Sequence, residues 1–124
     1  MVPGSITILC VDDEETPRIL RKLILQKQGY QVVMAASGEE ALEVLDRANI
    51  NLVLSDLMMP GMTGTELTKS VKAVRPTMPV ILISGVNEIP ADASYADRFI
   101  SKVGGAELLF QTVIEVLTEY GYFD

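Results

Sequence analysis

The chain has 124 residues, 48% of them hydrophobic and 22% charged, which is the balance of a single globular domain with a core of its own. Its net charge of −7 argues against sequence-independent binding to phosphate backbones or anionic lipid, which needs a basic face. There is no histidine, so Ser-His-Asp and Cys-His catalysis and histidine-ligated metal sites are excluded, and a single cysteine allows no internal disulfide.

Residues 1–5 read as a flexible start or a cloning remnant, and residues 6–124 as one domain. Ile6 to Val11 is an apolar, β-branched run that stops at Asp12-Asp13-Glu14-Glu15; Cys10 inside it reads as a buried small hydrophobe. Thr16-Pro17 then reads as an N-cap followed by proline at the first helical position. Ile19, Leu20, Leu23 and Ile24 give this helix its apolar spacing, and Gly29 ends it. Gln31 to Ala35 is a second strand, and Ser37 with Glu40 has the spacing of a capping box for a helix lined by Ala41, Leu42 and Leu45.

Leu52-Val53-Leu54 is a run of the kind covered on both faces, as in parallel α/β sheets. It ends in Asp56 and is closed by Pro60-Gly61. Thr63 and Glu66 form another capping box, Leu67, Val71 and Val74 follow at helical spacing, and Arg75-Pro76 stops the helix. Pro79 to Ile83 is a fourth strand, closing in Ser84-Gly85. The segment from Val86 to Asp97 is interrupted by Pro90, so the fourth helix is expected to be short or missing. Arg98 to Lys102 is a fifth strand, and a last helix presents Leu109, Val113, Val116, Leu117 and Tyr120, with Gly121 as its stop.

Alternation of this kind predicts an α/β fold: a doubly wound, five-stranded parallel sheet with right-handed crossovers. In the flavodoxin-like order 2-1-3-4-5, strands one, three, four and five lie side by side. Their carboxyl ends then bring Asp12, Asp13, Asp56, Ser84 and Lys102 to one edge. Crowded carboxylates repel unless positive charge sits among them. Mg²⁺, which prefers carboxylate oxygens, is the natural candidate, and Lys102 adds an ammonium. A dication, an ammonium and a hydroxyl around one carboxylate are what phosphoryl transfer onto it requires.

Val11-Asp12-Asp13-Glu14, the stretch from Ser55 to Gly64, Ile83-Ser84-Gly85 and Phe99-Ile100-Ser101-Lys102 together resemble the receiver domain of two-component response regulators, of the chemotaxis-regulator type. The likeness covers roughly residues 6–120. It implies a phosphorylation-activated signalling switch in a two-component system or phosphorelay, cytoplasmic, with a histidine kinase or histidine phosphotransfer domain as donor. Asp56 would be the phosphoacceptor. Asp13, Asp56 and the Met58 backbone carbonyl would bind Mg²⁺, with Asp12 acting through water. Lys102 and Ser84 would contact the phosphoryl oxygens, Gly85 would leave room for them, and Phe99 would turn inward with Ser84 as the switch. Met58 and Val86 occupy positions that tune loss of the phosphoryl group, and both are apolar, which points to slow self-dephosphorylation and no other enzymatic activity.

The chain departs from the family at two positions. Thr63 replaces an aspartate but remains a competent N-cap. Val103 replaces the proline after the lysine, so a trans Lys102–Val103 bond and a different local loop are expected. Other readings are a pseudo-receiver acting by protein contact alone, and a phosphatase with Asp56 as nucleophile. A phosphatase of that kind would carry an acid/base aspartate where Met58 stands. A flavodoxin-like cofactor binder would not place Asp12-Asp13 at its phosphate loop. No output segment follows Tyr120, so a stand-alone receiver or one cut from a larger protein is expected, with neither nucleic acid nor membrane as partner. Met58, Met59 and Met62 read as packing around the loop.

Overall fold

The computed structural model describes residues 2–85 and 95–123. Five parallel strands, β1 (Thr7–Val11), β2 (Gln31–Ala35), β3 (Leu52–Asp56), β4 (Val80–Ser84) and β5 (Arg98–Ser101), form one sheet in the order β2-β1-β3-β4-β5. Around it among the described residues are α1 (Glu15–Lys27), α2 (Gly38–Arg47), α3 (Gly64–Val74) and α4 (Gly105–Glu119). The crossover from β4 to β5, with Val86, Pro90 and the expected short helix, falls largely on residues 86–94, outside the described residues.

Every residue of β3 and β4 is buried, because helices cover both faces of the sheet. Period-two alternation splits the strands between two cores. Leu9, Val11, Val53 and Leu82 pack on the α2 and α3 side with Ala41, Val44, Leu67 and Val71. Ile8, Cys10, Leu52, Leu54, Ile81 and Ile83 pack on the other with Leu25, Leu109, Val113 and Leu117. Each fully buried Leu or Ile stabilises by about 1.5–3 kcal/mol.

Several local readings of the sequence are corrected. Helix α1 starts at Glu15, with Glu14 as N-cap, rather than at Thr16-Pro17. The Glu14 N–H donates to Asp12 Oδ1 at 2.9 Å, so the carboxylate of the preceding turn starts the helix. Pro17 fits in the first turn, where its missing N–H would have had no intrahelical partner. The inward stripe of α1 differs in part: Ile24 packs on the core as expected and Leu25 is fully buried, while Ile19, Leu20 and Leu23 are exposed. Arg18 and Arg21 take the inward positions instead, for a reason that lies at the strand ends. Val74, in the last turn of α3, is exposed rather than part of the apolar face.

Ser37 accepts the Glu40 N–H at 3.1 Å, but the Glu40 carboxylate turns to the Ala36 N–H, so only half of that capping box forms. The Thr63–Glu66 box is complete, at 3.1 and 3.2 Å. Strand β5 stops at Ser101, and Lys102–Gly104 form a 3₁₀ turn in which Ser101 Oγ accepts the Val103 N–H at 3.3 Å. The Lys102–Val103 bond is trans, as expected for a residue other than proline.

At the sheet end opposite these turns, Asp97 joins four elements. Its Oδ2 accepts Lys72 Nζ of α3 and the Val80 N–H, each at 2.8 Å, and its Oδ1 accepts the Tyr120 hydroxyl beyond α4. Burial alone would raise the Asp97 carboxyl, yet the hydrogen bonds from Lys72, Tyr120 and Val80 outweigh it and hold the pKa below the usual value. A depressed carboxyl adds stability that is present above its unfolded pKa and is lost as pH falls through the folded one. Asp97→Asn is therefore expected to cost about 2 kcal/mol at neutral pH in urea unfolding, with the gap to wild type closing in acid.

Candidate functional site

Parallel register decides what meets at the carboxyl edge. Val11 pairs with Ser55, Asp56 with Ile83, and Ser84 with Ser101, so Asp12, Asp56, Ser84 and Lys102 end neighbouring strands or directly follow them. Carboxylate oxygens of Asp12, Asp13 and Asp56 all lie within 4.8 Å of one another. Asp56 is 3% exposed and Asp12 1%, whereas Asp13 is open to solvent.

The backbone around Asp56 is tightly held. Ser55 Oγ donates to the Asp56 carbonyl at 2.9 Å, the Leu57 N–H donates to Ile83 O at 2.8 Å, and the Gly64 N–H donates to Leu57 O at 2.8 Å. The start of α3 thereby rests directly on the end of β3. A Cβ on Gly64 would lie 2.4 Å from the Asp56 carbonyl oxygen, so no larger residue fits this approach.

Lys102 Nζ lies 3.1 Å from Asp56 Oδ1, with about a third of the lysine side chain exposed. Burial raises the Asp56 pKa; the Lys102 hydrogen bond pulls it down, the Asp12 charge pushes it up again, and the net shift is upward. The ionised form of Asp56 is thus under-compensated by the protein alone and attracts further positive charge. An all-oxygen cluster with one face open to water suits a hard dication such as Mg²⁺ in its donor set.

Asp12 is differently placed. Its Oδ1 accepts the Glu14 N–H, its Oδ2 accepts Arg21 Nη1 at 2.6 Å, and its carbonyl accepts Arg18 Nη1 at 2.8 Å. Neither arginine was singled out from the sequence. The available signal was their spacing: they lie three apart on the helix that begins at the acids, which puts both on one face, within reach of those acids.

Ser84 is fully buried at the end of β4. Gly85 has ordinary room, since a Cβ there would meet Lys102 Cδ at 3.7 Å. Phe99 is half-buried, in register with Leu82 and packed on the α2 and α3 core. Met59 and Met62 pack into that same core, but Met58 is 68% exposed, which corrects its reading as a packing residue. The Cys10 thiol is buried and pushed up to about 12, which removes it as a nucleophile.

Residues 8–114 match the family described as the response regulator receiver domain. The chain is 37% identical over 122 residues to the sensor kinase CckA of Brucella abortus, covering 92% of this chain and 13% of that protein. It is 38% identical over 117 residues to the transcriptional regulatory protein GlrR of Escherichia coli, covering 90% of this chain and 26% of that one. It thus spans well under a third of the length of either relative. Among solved structures, the response regulator TrrA of Thermotoga maritima in complex with Mg²⁺ and BeF superposes with a TM-score of 0.86 at 32% identity, over 90% of this chain and 99% of that one. No helix among the described residues is long and apolar enough to cross a membrane.

Proposed function

The chain belongs to the response regulator receiver family, and from that premise we propose that residues 6–124 form a phosphorylation-controlled switch whose acceptor is Asp56. The observation that carries this reading is the buried Asp56 carboxylate, raised in pKa, with Lys102 Nζ at 3.1 Å and two further acids within 4.8 Å. The donor is a phosphohistidine of a histidine kinase or phosphotransfer domain, and the encounter takes place in the cytoplasm.

An Asp56 oxygen attacks phosphorus, the donor's P–N bond breaks, and the leaving imidazole takes up a proton. An acyl phosphate remains on Asp56. Lys102 leaves the carboxylate oxygen it holds and pairs with the phosphoryl oxygens, and the Ser84 hydroxyl donates to another of them. Phe99 then repacks against the α2 and α3 core, so that new charge at one edge biases packing elsewhere. Asp13, Asp56 and the Met58 carbonyl would hold Mg²⁺, with Asp12 reaching it through water. When bound, the ion supplies the positive charge that lets anionic phosphoryl oxygens approach three carboxylates. That TrrA was solved in complex with Mg²⁺ and BeF supports Mg²⁺ as the cation of this edge.

Exposed Met58 carries no group that can orient an attacking water, so self-dephosphorylation is slow; Val86, its expected companion, lies outside the described residues. With acetyl phosphate and Mg²⁺, the protein is expected to gain one hydroxylamine-labile phosphoryl group per chain, and chelation by EDTA is expected to prevent it. A chain that gains none under any metal condition would be a pseudo-receiver acting by contact alone.

A further inference from the structure

Arg21 takes no part in the phosphoryl chemistry above, yet it is built into the acidic edge. Its guanidinium lies 2.6 Å from Asp12 Oδ2, the arginine side chain is 12% exposed, and that of Asp12 is 1% exposed. The other Asp12 oxygen accepts the Glu14 N–H, and Arg18 fixes the Asp12 carbonyl, so both carboxylate oxygens already have a protein partner while each keeps a lone pair for water. A guanidinium keeps its charge at any physiological pH. Its field also reaches Asp56, where the Arg21 charge works against ionisation cost.

A dication drawn in by Asp13 and Asp56 therefore meets a fixed positive charge on the third acid of the cluster. Repulsion of this kind is weakly screened in a buried setting. We propose that Arg21 is a positioning residue that sets the cation affinity of this edge, holding Asp12 in place when no dication is bound and weakening dication binding by its charge. The proposal rests on the reading of Asp13 and Asp56 as Mg²⁺ ligands. It implies that the domain's readiness for phosphorylation follows the Mg²⁺ concentration over a higher range than the three acids alone would set.

The test is calorimetric titration of Mg²⁺ into the full chain as wild type, Arg21→Gln and Arg21→Lys, with Asp13→Asn as the control for the site. Arg21→Gln is expected to bind about tenfold more tightly than wild type, the size of Coulomb repulsion by one nearby charge even at a water-like dielectric. Arg21→Lys keeps the charge and stays near the wild-type value. Because Arg21→Gln deprives a buried carboxylate of its partner, the comparison is repeated with Asp12→Asn against Asp12→Asn/Arg21→Gln, where no carboxylate at position 12 is left without its counter-charge; the double variant must again bind more tightly.

Equal or weaker binding after Arg21→Gln in either background overturns the role of Arg21 and leaves the metal site standing. A gain shared by Arg21→Lys also overturns it, since charge would not be the cause. Wild-type binding that is absent, or that Asp13→Asn does not weaken, overturns the site reading and this inference with it.

Discussion

Asp56→Asn is expected to reduce acetyl phosphate labelling to background while raising the melting temperature in Mg²⁺-free buffer at neutral pH. The first effect follows because an amide oxygen does not form the acyl phosphate, and among the described residues Asp56 is the carboxylate held against Lys102. The second follows from the raised Asp56 pKa, whose largest cause is burial. A group whose folded pKa lies above its unfolded one favours the native state at low pH, and that contribution is lost as pH rises through the folded value. At neutral pH the ionised carboxylate is thus a cost that asparagine removes, while the amide oxygen still accepts from Lys102. The advantage of the variant should shrink as pH falls and the wild-type carboxyl takes up its proton. Mg²⁺ should reverse the order, because it stabilises only a chain that binds it. Melting curves at two pH values, with and without Mg²⁺, check all of this.

Gly64→Ala is expected to destabilise the domain by about 3 kcal/mol and to lower labelling of the fraction that folds. The added Cβ would lie 2.4 Å from Asp56 O, 2.9 Å from Leu57 Cα and 3.0 Å from Leu82 Cδ2. Two of these are backbone atoms of a buried strand end, which have no rotamer to yield. The Gly64 N–H bond to Leu57 O, at 2.8 Å, opposes any retreat of α3. Relief must come from moving Asp56 itself, so stability and phosphoacceptor geometry fail together. Gly4→Ala is the matching control: an added Cβ there meets nothing within 4 Å, and no more than about 0.5 kcal/mol is expected. Urea unfolding of the two variants provides the comparison.

Strand order was legible from the alternation of strands and helices, and β1, β3 and the acidic cluster because one physical rule covers them. An apolar run that ends in a carboxylate is a buried strand reaching the sheet's edge, and Val11-Asp12 and Leu54-Ser55-Asp56 both obey it. The Thr63–Glu66 cap was legible for the same kind of reason, since its partners lie three residues apart. Helix α1 shows where local reading stops. Ile19, Leu20 and Leu23 fit a helical face with Ile24, but so do Arg18, Arg21 and Leu25, and the position of Asp12 decides for the latter, leaving only Ile24 of the first stripe on the core. Hydropathy favours the first stripe; the demand of a buried carboxylate for counter-charge selects the second. The Asp97 network was out of reach altogether, because Lys72, Val80 and Tyr120 are brought to it by the fold rather than by spacing. Met58 was misplaced by composition: it shares its neighbours' hydrophobicity but points to water.

The central claim is that one buried carboxylate, balanced by an ammonium and a dication, takes the phosphoryl group. Its most direct test is to phosphorylate the chain with acetyl phosphate and Mg²⁺, trap the acyl phosphate by borohydride reduction, and map the altered residue by peptide mass spectrometry. The expected result is a single reduced side chain at position 56, absent when Mg²⁺ is withheld. A mark on Asp12 or Asp13, or one at position 56 that forms equally well without metal, would contradict it.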